Sequence, residues 1–142
     1  MSYSLSFTQS VFIVLYVANK GDERVAAFVP TQQISRDLDI PPSTAGMILR
    51  RLNRAGLMET REGVNGGVRL AMPPDEVTLL DLFTAVEQER PLFQSNMQVV
   101  AEGEKLSRSQ QTVASALDTV EMAMKRKLQM TSIRDLMKTI NR

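Results

Sequence analysis

The sequence predicts a mainly α-helical chain that carries one small β-hairpin. Residues 31–38 and 43–55 have the apolar spacing of helices, and residues 39–42 (Asp-Ile-Pro-Pro) separate them, because proline lacks an N–H and forces the preceding residue to be extended. Two short strand patterns follow, on either side of a glycine-rich segment typical of a hairpin tip. The strands are predicted at 57–61 and 68–71, and the tip at 63–67. Helix, sharp turn, helix and hairpin in this order are the layout of a winged helix-turn-helix.

Capping residues define the ends of these two helices. We expect Thr31 at the N-cap of the first helix and Ser43 at the N-cap of the second, since a hydroxyl oxygen accepts a hydrogen bond from the first helical turn. Gly56 is expected to end the second helix, because glycine tolerates the left-handed backbone that often follows a helix. The two helices are therefore short and joined by a tight turn.

The second helix has one apolar face and one polar, cationic face. The apolar residues are spaced three and four apart and form one stripe, which we expect to be buried. This stripe consists of Ile48, Leu49, Leu52 and Ala55. A helix fits the DNA major groove, where its N-terminal residues reach base edges and its later residues reach phosphates. The predicted base contacts are Ser43, Thr44 and Met47, and the predicted phosphate contacts are Arg50, Arg51 and Arg54.

The hairpin supplies a second set of predicted DNA contacts. Glycines at its tip allow the backbone to approach a phosphate closely, and arginines in its strands add positive charge. The alternative is that the arginines of both elements form an ordinary solvated surface. The predicted wing contacts are Arg61, Asn65, Gly66, Gly67 and Arg69.

Residues 5–87 resemble a bacterial family of winged-helix repressors, the Rrf-two family, which includes iron–sulfur cluster regulators and cysteine-metabolism repressors. The resemblance rests on the opening helix, on the run Ile-Leu-Arg-Arg-Leu-Asn-Arg-Ala-Gly-Leu at 48–57, and on the wing Gly-Gly-Val-Arg-Leu-Ala at 66–71. It continues through residues 73–81 and 85–87. The resemblance implies a homodimeric, sequence-specific DNA-binding regulator.

The chain also departs from the pattern of that family. The family's recognition helix usually carries a Tyr-Leu pair and then an acidic residue followed by Gln, whereas this chain has Thr44-Ala45 and Gly46-Met47. Glu62 stands where the family often has a wing arginine. We therefore expect a different target sequence. The iron–sulfur members hold their cluster with cysteine thiolates, and this chain has no cysteine, so no cofactor is expected.

Composition narrows the class of protein further. A chain of 142 residues is long enough for one domain with an extension. The absence of cysteine excludes disulfides and thiol chemistry and fits a cytoplasmic location. The chain also has no histidine, no phosphate-binding loop and no dinucleotide motif, so an enzyme is not expected. The apolar run 11–18 is too short for a signal peptide, and no run approaches the ~20 residues of a membrane span.

The net charge of +1 hides an uneven distribution. Residues 41–70 carry five basic and two acidic residues, a net charge of +3. Residues 75–104 carry seven acidic residues and one basic residue, a net charge of −6, whereas residues 105–142 have a net charge of +5. Local charge, rather than the total, determines how a protein meets DNA. The acidic middle is therefore expected to face away from it.

The first helix is predicted from residue 4 or 6 to residue 19. It is apolar nearly all round, so we expect it to be buried on more than one side and to contribute to a subunit interface. Residues 20–23 are predicted to form a turn. Residues 27–29 are predicted as a brief strand that joins the hairpin, with Phe28 in the core.

Three helices are predicted after the hairpin. Thr78 is expected to cap a helix over residues 79–87, and Thr131 or Ser132 a last helix that ends at Ile140. Between them, residues 110–128 carry an apolar stripe that suits packing against a symmetry mate, although the stripe alone suits packing within the chain equally well. The resemblance favours dimerisation. The predicted dimerisation residues are Val113, Leu117, Val120, Met124 and Leu128.

The segment between these helices is the least informative part of the sequence. The resemblance places the family's sensor there, so this segment could bind a small-molecule or protein effector, or have no regulatory role. The candidate effector contacts are Phe93, Met97 and Val99, for which plain packing is the alternative. The predicted units are a DNA-binding domain at 1–88, a sensor-like loop at 89–109, and dimerisation and C-terminal helices at 110–142.

The sequence as a whole predicts a mainly α protein with a small β-hairpin wing, that is, a winged helix-turn-helix followed by a long C-terminal dimerisation helix. Its predicted function is transcription regulation, as a repressor that binds a palindromic operator in double-stranded DNA as a homodimer without an iron–sulfur cluster. The alternative is a winged-helix protein-interaction module that has lost specific DNA recognition.

Overall fold

The computed structural model describes residues 5–23, 28–88, 90–93 and 103–142. The order of elements along these residues confirms the predicted fold class: mainly helical, with one antiparallel hairpin. The helices are α1 (Leu5–Glu23), α2 (Thr31–Leu38), α3 (Pro42–Arg54), α4 (Leu79–Glu87), α5 (Glu104–Gln129) and α6 (Ile133–Ile140), and the strands are β1 (Met58–Arg61) and β2 (Gly67–Leu70).

Helices α2 and α3 begin at prolines rather than at hydroxyl caps. The N-cap residues are Pro30 and Pro41, whose backbone is extended and whose side chains make no capping hydrogen bond. The predicted caps Thr31 and Ser43 are therefore wrong, since both residues already lie inside the first turn. Proline fixes φ near the value that the start of a helix requires and so replaces a capping side chain. The predicted end of α3 is confirmed by Gly56, whose φ is +78°.

Helix α1 forms the centre of the core. Ile13, Val14 and Val17 are at most 2% exposed and pack beneath the helix-turn-helix and the hairpin. The residues predicted as a turn, 20–23, continue the helix instead, since the chain there carries no helix-breaking proline. Leu5 and Phe12 are 69% and 56% exposed, so one side of α1 is apolar and uncovered within the chain.

Hydrogen bonds and buried side chains fix the turn between α2 and α3. Asp39 takes a left-handed backbone with φ of 52°, and its N–H is bonded to the last turn of α2. The Ser35 hydroxyl donates a 2.5 Å hydrogen bond to the Ile40 carbonyl. Ile34 and Ile40 are buried on either side of this turn, which fixes the angle between the two helices.

The hairpin is extended by a third segment of chain. β1 and β2 pair antiparallel, from Met58 opposite Leu70 to Arg61 opposite Gly67. Val29 forms an isolated bridge to Val68 with two backbone hydrogen bonds of 2.8 and 2.9 Å. The brief strand predicted at 27–29 is confirmed at Val29, whereas residue 27 lies outside the described residues.

The C-terminal helix returns to the winged part of the molecule. Ile133 and Met137 of α6 are at most 2% exposed and belong to the same core as α1. The Ser132 side chain caps α6, which confirms one of the two predicted caps, Thr131 or Ser132. The predicted unit 110–142 therefore includes a helix, α6, that packs on the same core as α1.

The long helix α5 has no buried residue. It begins at Glu104, six residues before the predicted start at 110, so part of the predicted loop 89–109 is helical. Leu117, Met124 and Leu128 are half-buried by the rest of the chain, while Val113 and Val120 are 57% and 51% exposed. Among the described helices, none combines the length and the apolar character needed to cross a bilayer.

Candidate nucleic-acid interface

Helix α3 presents one exposed face, as predicted. Ser43, Arg50 and Arg54 are exposed on this face. Thr44 and Met47 are half-buried, and Met47 packs against the core, so its side chain is less available for base contact than the prediction assumed.

The buried face of α3 differs from the predicted stripe by one residue. Ile48, Leu49 and Leu52 are buried, as predicted. Ala55, the C-cap residue, is exposed. Ala45 is fully buried instead. Its spacing, three residues before Ile48 and seven before Leu52, places it on the same helical face and could have predicted its burial.

Arg51 is directed towards α4. Its Nη1 donates a 2.9 Å hydrogen bond to the Val86 carbonyl, in the last turn of α4. The last carbonyls of a helix have no partner within the helix, and a cationic side chain satisfies them well. One donor of the Arg51 guanidinium therefore ties α3 to α4, and the predicted phosphate contact of this residue stays a prediction.

An open groove of about 670 Å³ lies between α3 and α4. Arg51 and Arg54 stand on one wall, and the exposed side of α4 forms the other. The complete lining is Arg51, Arg54, Ala55, Leu57, Leu80, Asp81, Thr84, Ala85 and Gln88. The Asp81 carboxylate accepts the Thr78 N–H at 2.9 Å and is thereby engaged within its own helix.

The wing carries two arginines on its outer face. Arg61 donates from Nη2 to the Asn65 carbonyl at 2.7 Å, which braces the hairpin tip. Arg69 donates from Nε to the Glu59 carboxylate at 2.8 Å. Arg61 and Asn65 are exposed and Arg69 is half-buried, so the cationic surface predicted for the wing is present but partly compensated by Glu59.

Gly66 and Gly67 are buried and serve the hairpin itself. A Cβ at Gly66 would overlap the Arg61 carbonyl oxygen, and a Cβ at Gly67 would overlap the backbone of Val29. The close approach that these glycines allow is therefore between segments of the protein, which differs from the predicted approach to a phosphate.

Phe28 is a residue whose environment the sequence prediction misjudged. The prediction placed it in the core, but it is half-buried beside the wing. The Cζ atoms of Arg61 and Arg69 each lie 4.5 Å from the centroid of its ring. The alternation of side chains along 28–29 was the available signal, since Val29 is the core residue of the pair.

Tyr16 anchors the helix-turn-helix to α1. Its hydroxyl donates to the Asp37 carboxylate and accepts a 2.9 Å hydrogen bond from Gln33 Nε2, both on α2. Burial, reinforced by the bond to Asp37, raises the pKa of Tyr16 above its usual value. The two hydrogen bonds of the phenol hold α2 against α1.

The family model described as an iron-dependent transcriptional regulator, Rrf2, matches residues 3–139. The chain belongs to the Rrf2 family. YwgB of Bacillus subtilis (strain 168), whose name places it among HTH-type transcriptional regulators, is 37% identical over 106 residues, which cover 73% of this chain and 66% of YwgB. BadM of Rhodopseudomonas palustris, named in the same way, is 30% identical over 132 residues, which cover 93% of this chain and 80% of BadM.

Solved structures of Rrf2-type regulators share the fold. T. potens IscR superimposes with a TM-score of 0.71 at 17% identity, over 99% of this chain and 88% of IscR. CymR of B. subtilis, the global cysteine regulator, superimposes with a TM-score of 0.64 at 21% identity, over 96% of this chain and 95% of CymR. At these identities the likeness concerns the fold alone.

The Rrf2 description names iron, and the donor atoms of this member do not fit an iron–sulfur cluster. Such clusters are held by cysteine thiolates, with histidine as the common substitute, and the chain has neither residue. Within the described part of the chain, no three acidic side chains come together in a way that could hold a metal ion.

The candidate effector loop of this Rrf2 protein is described only in part. Phe93 is 40% exposed, whereas Met97 and Val99 lie outside the described residues. The start of the loop is tied to two helices, since the Arg90 guanidinium pairs with Glu87 at 3.2 Å and the Leu92 N–H donates to Glu121 of α5.

Proposed function

We propose that this Rrf2 transcription regulator is a repressor that binds a palindromic operator as a homodimer. One observation carries the proposal: α3 presents an exposed face with Ser43, Arg50 and Arg54, and the arginine-bearing wing follows it in a winged helix-turn-helix. A helix of this kind enters the major groove, while cationic side chains at its far end and in the wing meet the backbone. The protein acts in the cytoplasm, where bacterial DNA lies.

The exposed residues of α3 divide into two roles. Ser43 and Thr44 stand at its N-terminal end and contact base edges, whereas Arg50 and Arg54 contact phosphates. Met47 contributes with the exposed part of its side chain only. Arg51 acts indirectly, by holding α3 against α4 through its 2.9 Å hydrogen bond.

Dimerisation involves the uncovered apolar surface of α5. Val113 and Val120 are more than half exposed and lie seven residues apart, on the same side of the helix. Leu117, Met124 and Leu128 are half-buried beside them and complete the interface. Twofold symmetry would place two recognition helices on half-sites ~10 bp apart or a multiple of that distance, which requires a palindrome.

Regulation in this protein works without an iron–sulfur cluster. The support is the sequence itself, which offers neither thiolate nor imidazole ligands. Any effector, whether a small molecule or a protein, therefore acts through other chemistry, and the segment at 90–107 is its candidate site.

A protein-interaction module is the second candidate. The observation in its favour is that acidic residues occupy the wing: Glu59 pairs with Arg69 at 2.8 Å, and Glu62 is exposed nearby. These carboxylates reduce the attraction of the wing for phosphates. The arginines of α3 weigh against this candidate.

Selection from a random duplex pool tests the proposal. The purified protein is allowed to bind at ~150 mM salt, which suppresses nonspecific phosphate binding, and the bound duplexes are sequenced. The expected result is an enriched palindrome, and its spacing reports the dimer geometry. The variant Arg50→Ala/Arg54→Ala, which is expected to fold because both side chains are exposed, serves as the matched control that enriches nothing. No enrichment with the wild-type protein, combined with capture of a protein partner, would favour the interaction module.

A further inference from the structure

Phe28 lies on the outer face of the wing because of the segment that carries it. The backbone bridge between Val29 and Val68 aligns this segment with β2. Val29 and Val68 point into the core and are 4% and 2% exposed. Successive side chains of an extended chain point to opposite faces, so Phe28 is directed to the face that bears Arg61 and Arg69.

The ring of Phe28 contacts both wing arginines. Each Cζ atom lies 4.5 Å from the ring centroid, well within the ~6 Å at which a guanidinium group is attracted to an aromatic face. The register of the hairpin places both arginines on one face. Arg61 pairs with Gly67, and Arg69 lies two residues after Gly67, so both side chains reach the same ring. Glycine at position 67 leaves room for the 28–30 backbone, because a side chain there would collide with Val29.

Both arginines are oriented by a second contact as well. Arg61 donates to the Asn65 carbonyl at 2.7 Å, and Arg69 donates to the Glu59 carboxylate at 2.8 Å. A guanidinium group has five N–H donors, so these contacts leave several donors on each group for a ligand. A fixed, planar array of such donors suits a phosphate as well as a carboxylate, and phosphates are the anions that the proposed function brings to the wing.

We propose that Phe28 is a positioning residue that holds Arg61 and Arg69 in the conformation in which they bind the phosphates of duplex DNA. The inference rests on the proposed function. Arginine side chains lose rotamer freedom when they bind, and a side chain that is already fixed loses less, so the wing binds DNA more tightly. Phe28 itself need not touch the DNA.

The arrangement can be tested without DNA. The ring current of Phe28 should shift the Nε–Hε resonances of Arg61 and Arg69 in the ¹H–¹⁵N spectrum of the full chain. The shifts should disappear in Phe28→Leu, which keeps an apolar side chain, and persist in Phe28→Tyr, which keeps the ring. Identical arginine resonances in wild type and Phe28→Leu would overturn the proposal.

A double-mutant cycle tests the effect on DNA binding. The Kd for the selected duplex is measured for wild type, Phe28→Leu, Arg61→Ala/Arg69→Ala, and the triple variant, with circular dichroism as the check on folding. Phe28→Leu should raise the Kd about 3- to 20-fold in the wild-type background, because two arginine side chains that are no longer fixed lose more rotamer freedom on binding. In the background without the arginines the same substitution should change the Kd less than about twofold, since nothing remains to be positioned.

The outcomes separate this proposal from the proposed function. An equal loss of affinity in both backgrounds would show that Phe28 only supports the fold, and would overturn the proposal while leaving DNA binding intact. If Phe28→Leu does not fold, Phe28→Met replaces it as the variant without a ring, with the same expected effects. Phe28→Tyr, which keeps the ring, should bind DNA as the wild type does, and a lower affinity of Phe28→Tyr would count against a role of the ring face. A wild-type protein that selects no duplex would overturn the proposed function, and the role of Phe28 in DNA binding with it.

Discussion

Thr78 and Ser132 pair with each other in an antiparallel bridge, and each of them is the N-cap of a helix. Each hydroxyl accepts a 3.1 Å hydrogen bond from the aspartate three residues ahead, and each of those aspartates accepts the N–H of its cap residue at 2.9 Å. The starts of α4 and α6 are thereby joined. This junction fastens the C-terminal helix to the winged part, and α5 ends three residues before Ser132, at Gln129.

Substitution of the two caps tests this junction. Thr78→Ala and Ser132→Ala should each lower the free energy of unfolding by about 1 kcal/mol, the usual cost of losing a hydroxyl cap. Because the caps are paired, the change in the free energy of unfolding for the double variant should differ from the sum of the two single changes by about 0.5 kcal/mol or more. Denaturant unfolding measures all three, with Thr139→Ala on the exposed side of α6 as the control. Strict additivity would contradict a cooperative junction.

The second capping box also predicts a pH dependence. The backbone N–H of Ser132, together with its hydroxyl, holds the pKa of Asp135 below its ordinary value of 3.8. A carboxyl whose pKa is lower in the folded than in the unfolded chain stabilises the fold above the unfolded pKa, and this contribution is lost as the pH falls through the folded pKa. The stability difference between wild type and Asp135→Asn should therefore be largest near neutral pH and shrink below pH 3.8. A difference that is independent of pH would contradict this assignment.

Arg50 and Arg51 are neighbours with different expected roles. Arg51→Ala removes the hydrogen bond to the Val86 carbonyl and should lower the free energy of unfolding by about 1–2 kcal/mol. Arg50→Ala should leave stability within about 0.5 kcal/mol of wild type, because the side chain is exposed. In DNA titrations Arg50→Ala should reduce the slope of log K against log salt by about 1. If Arg51→Ala instead reduced the salt slope and Arg50→Ala lowered the stability, the Arg51 guanidinium would be the group that contacts DNA.

Substitution by alanine should have opposite effects on stability at Gly46 and at Gly67. Gly46 lies within α3, and a Cβ there would meet only the end of the flexible Arg50 side chain, at 3.3 Å. Gly46→Ala should therefore raise the free energy of unfolding by about 0.5–1 kcal/mol through helix propensity. Gly67 has a φ of +142° and abuts the backbone of Val29, so Gly67→Ala should lower stability by about 1–3 kcal/mol or more. Thermal or denaturant unfolding distinguishes the two, and equal signs would contradict the geometry.

The proposed dimer face of α5 can be tested by introducing one charged side chain. Val120 is 51% exposed, and Val120→Glu should convert the proposed homodimer into a monomer by placing a carboxylate in the proposed interface. Ser115→Glu is the control, since Ser115 is exposed on the opposite side of α5. Sedimentation at micromolar protein concentration measures the state of association. A Val120→Glu protein that remains dimeric would place the interface elsewhere, with the exposed side of α1 around Phe12 as the next surface to test.

Local sequence rules predicted most of the fold. The cap at Thr78 and the range 79–87 are confirmed, because a capping box and an apolar stripe are local signals. The cap of α3 is not Ser43 but Pro41, because a proline that breaks one helix can also start the next. The return of α6 onto the core was not predicted, because it depends on the pairing of Thr78 with Ser132, which are far apart in sequence.

The site was predictable in outline but not in its contacts. The pattern of arginines on α3 and in the hairpin identified the cationic surface. Whether an arginine such as Arg51 faces solvent or a neighbouring helix depends on the position of α4, which periodicity does not encode. The same holds for Phe28, whose neighbours are set by the bridge between Val29 and Val68.

Recognition of one specific duplex is the property that the proposed function requires of this Rrf2 protein. The most direct measurement is the ratio of Kd values for the selected palindrome and for a scrambled duplex of the same composition, at ~150 mM salt. The proposed function predicts that the palindrome binds on the order of 10³-fold more tightly or better, with two chains per duplex. Equal Kd values for the two duplexes, with the protein folded, would contradict sequence-specific regulation by this chain.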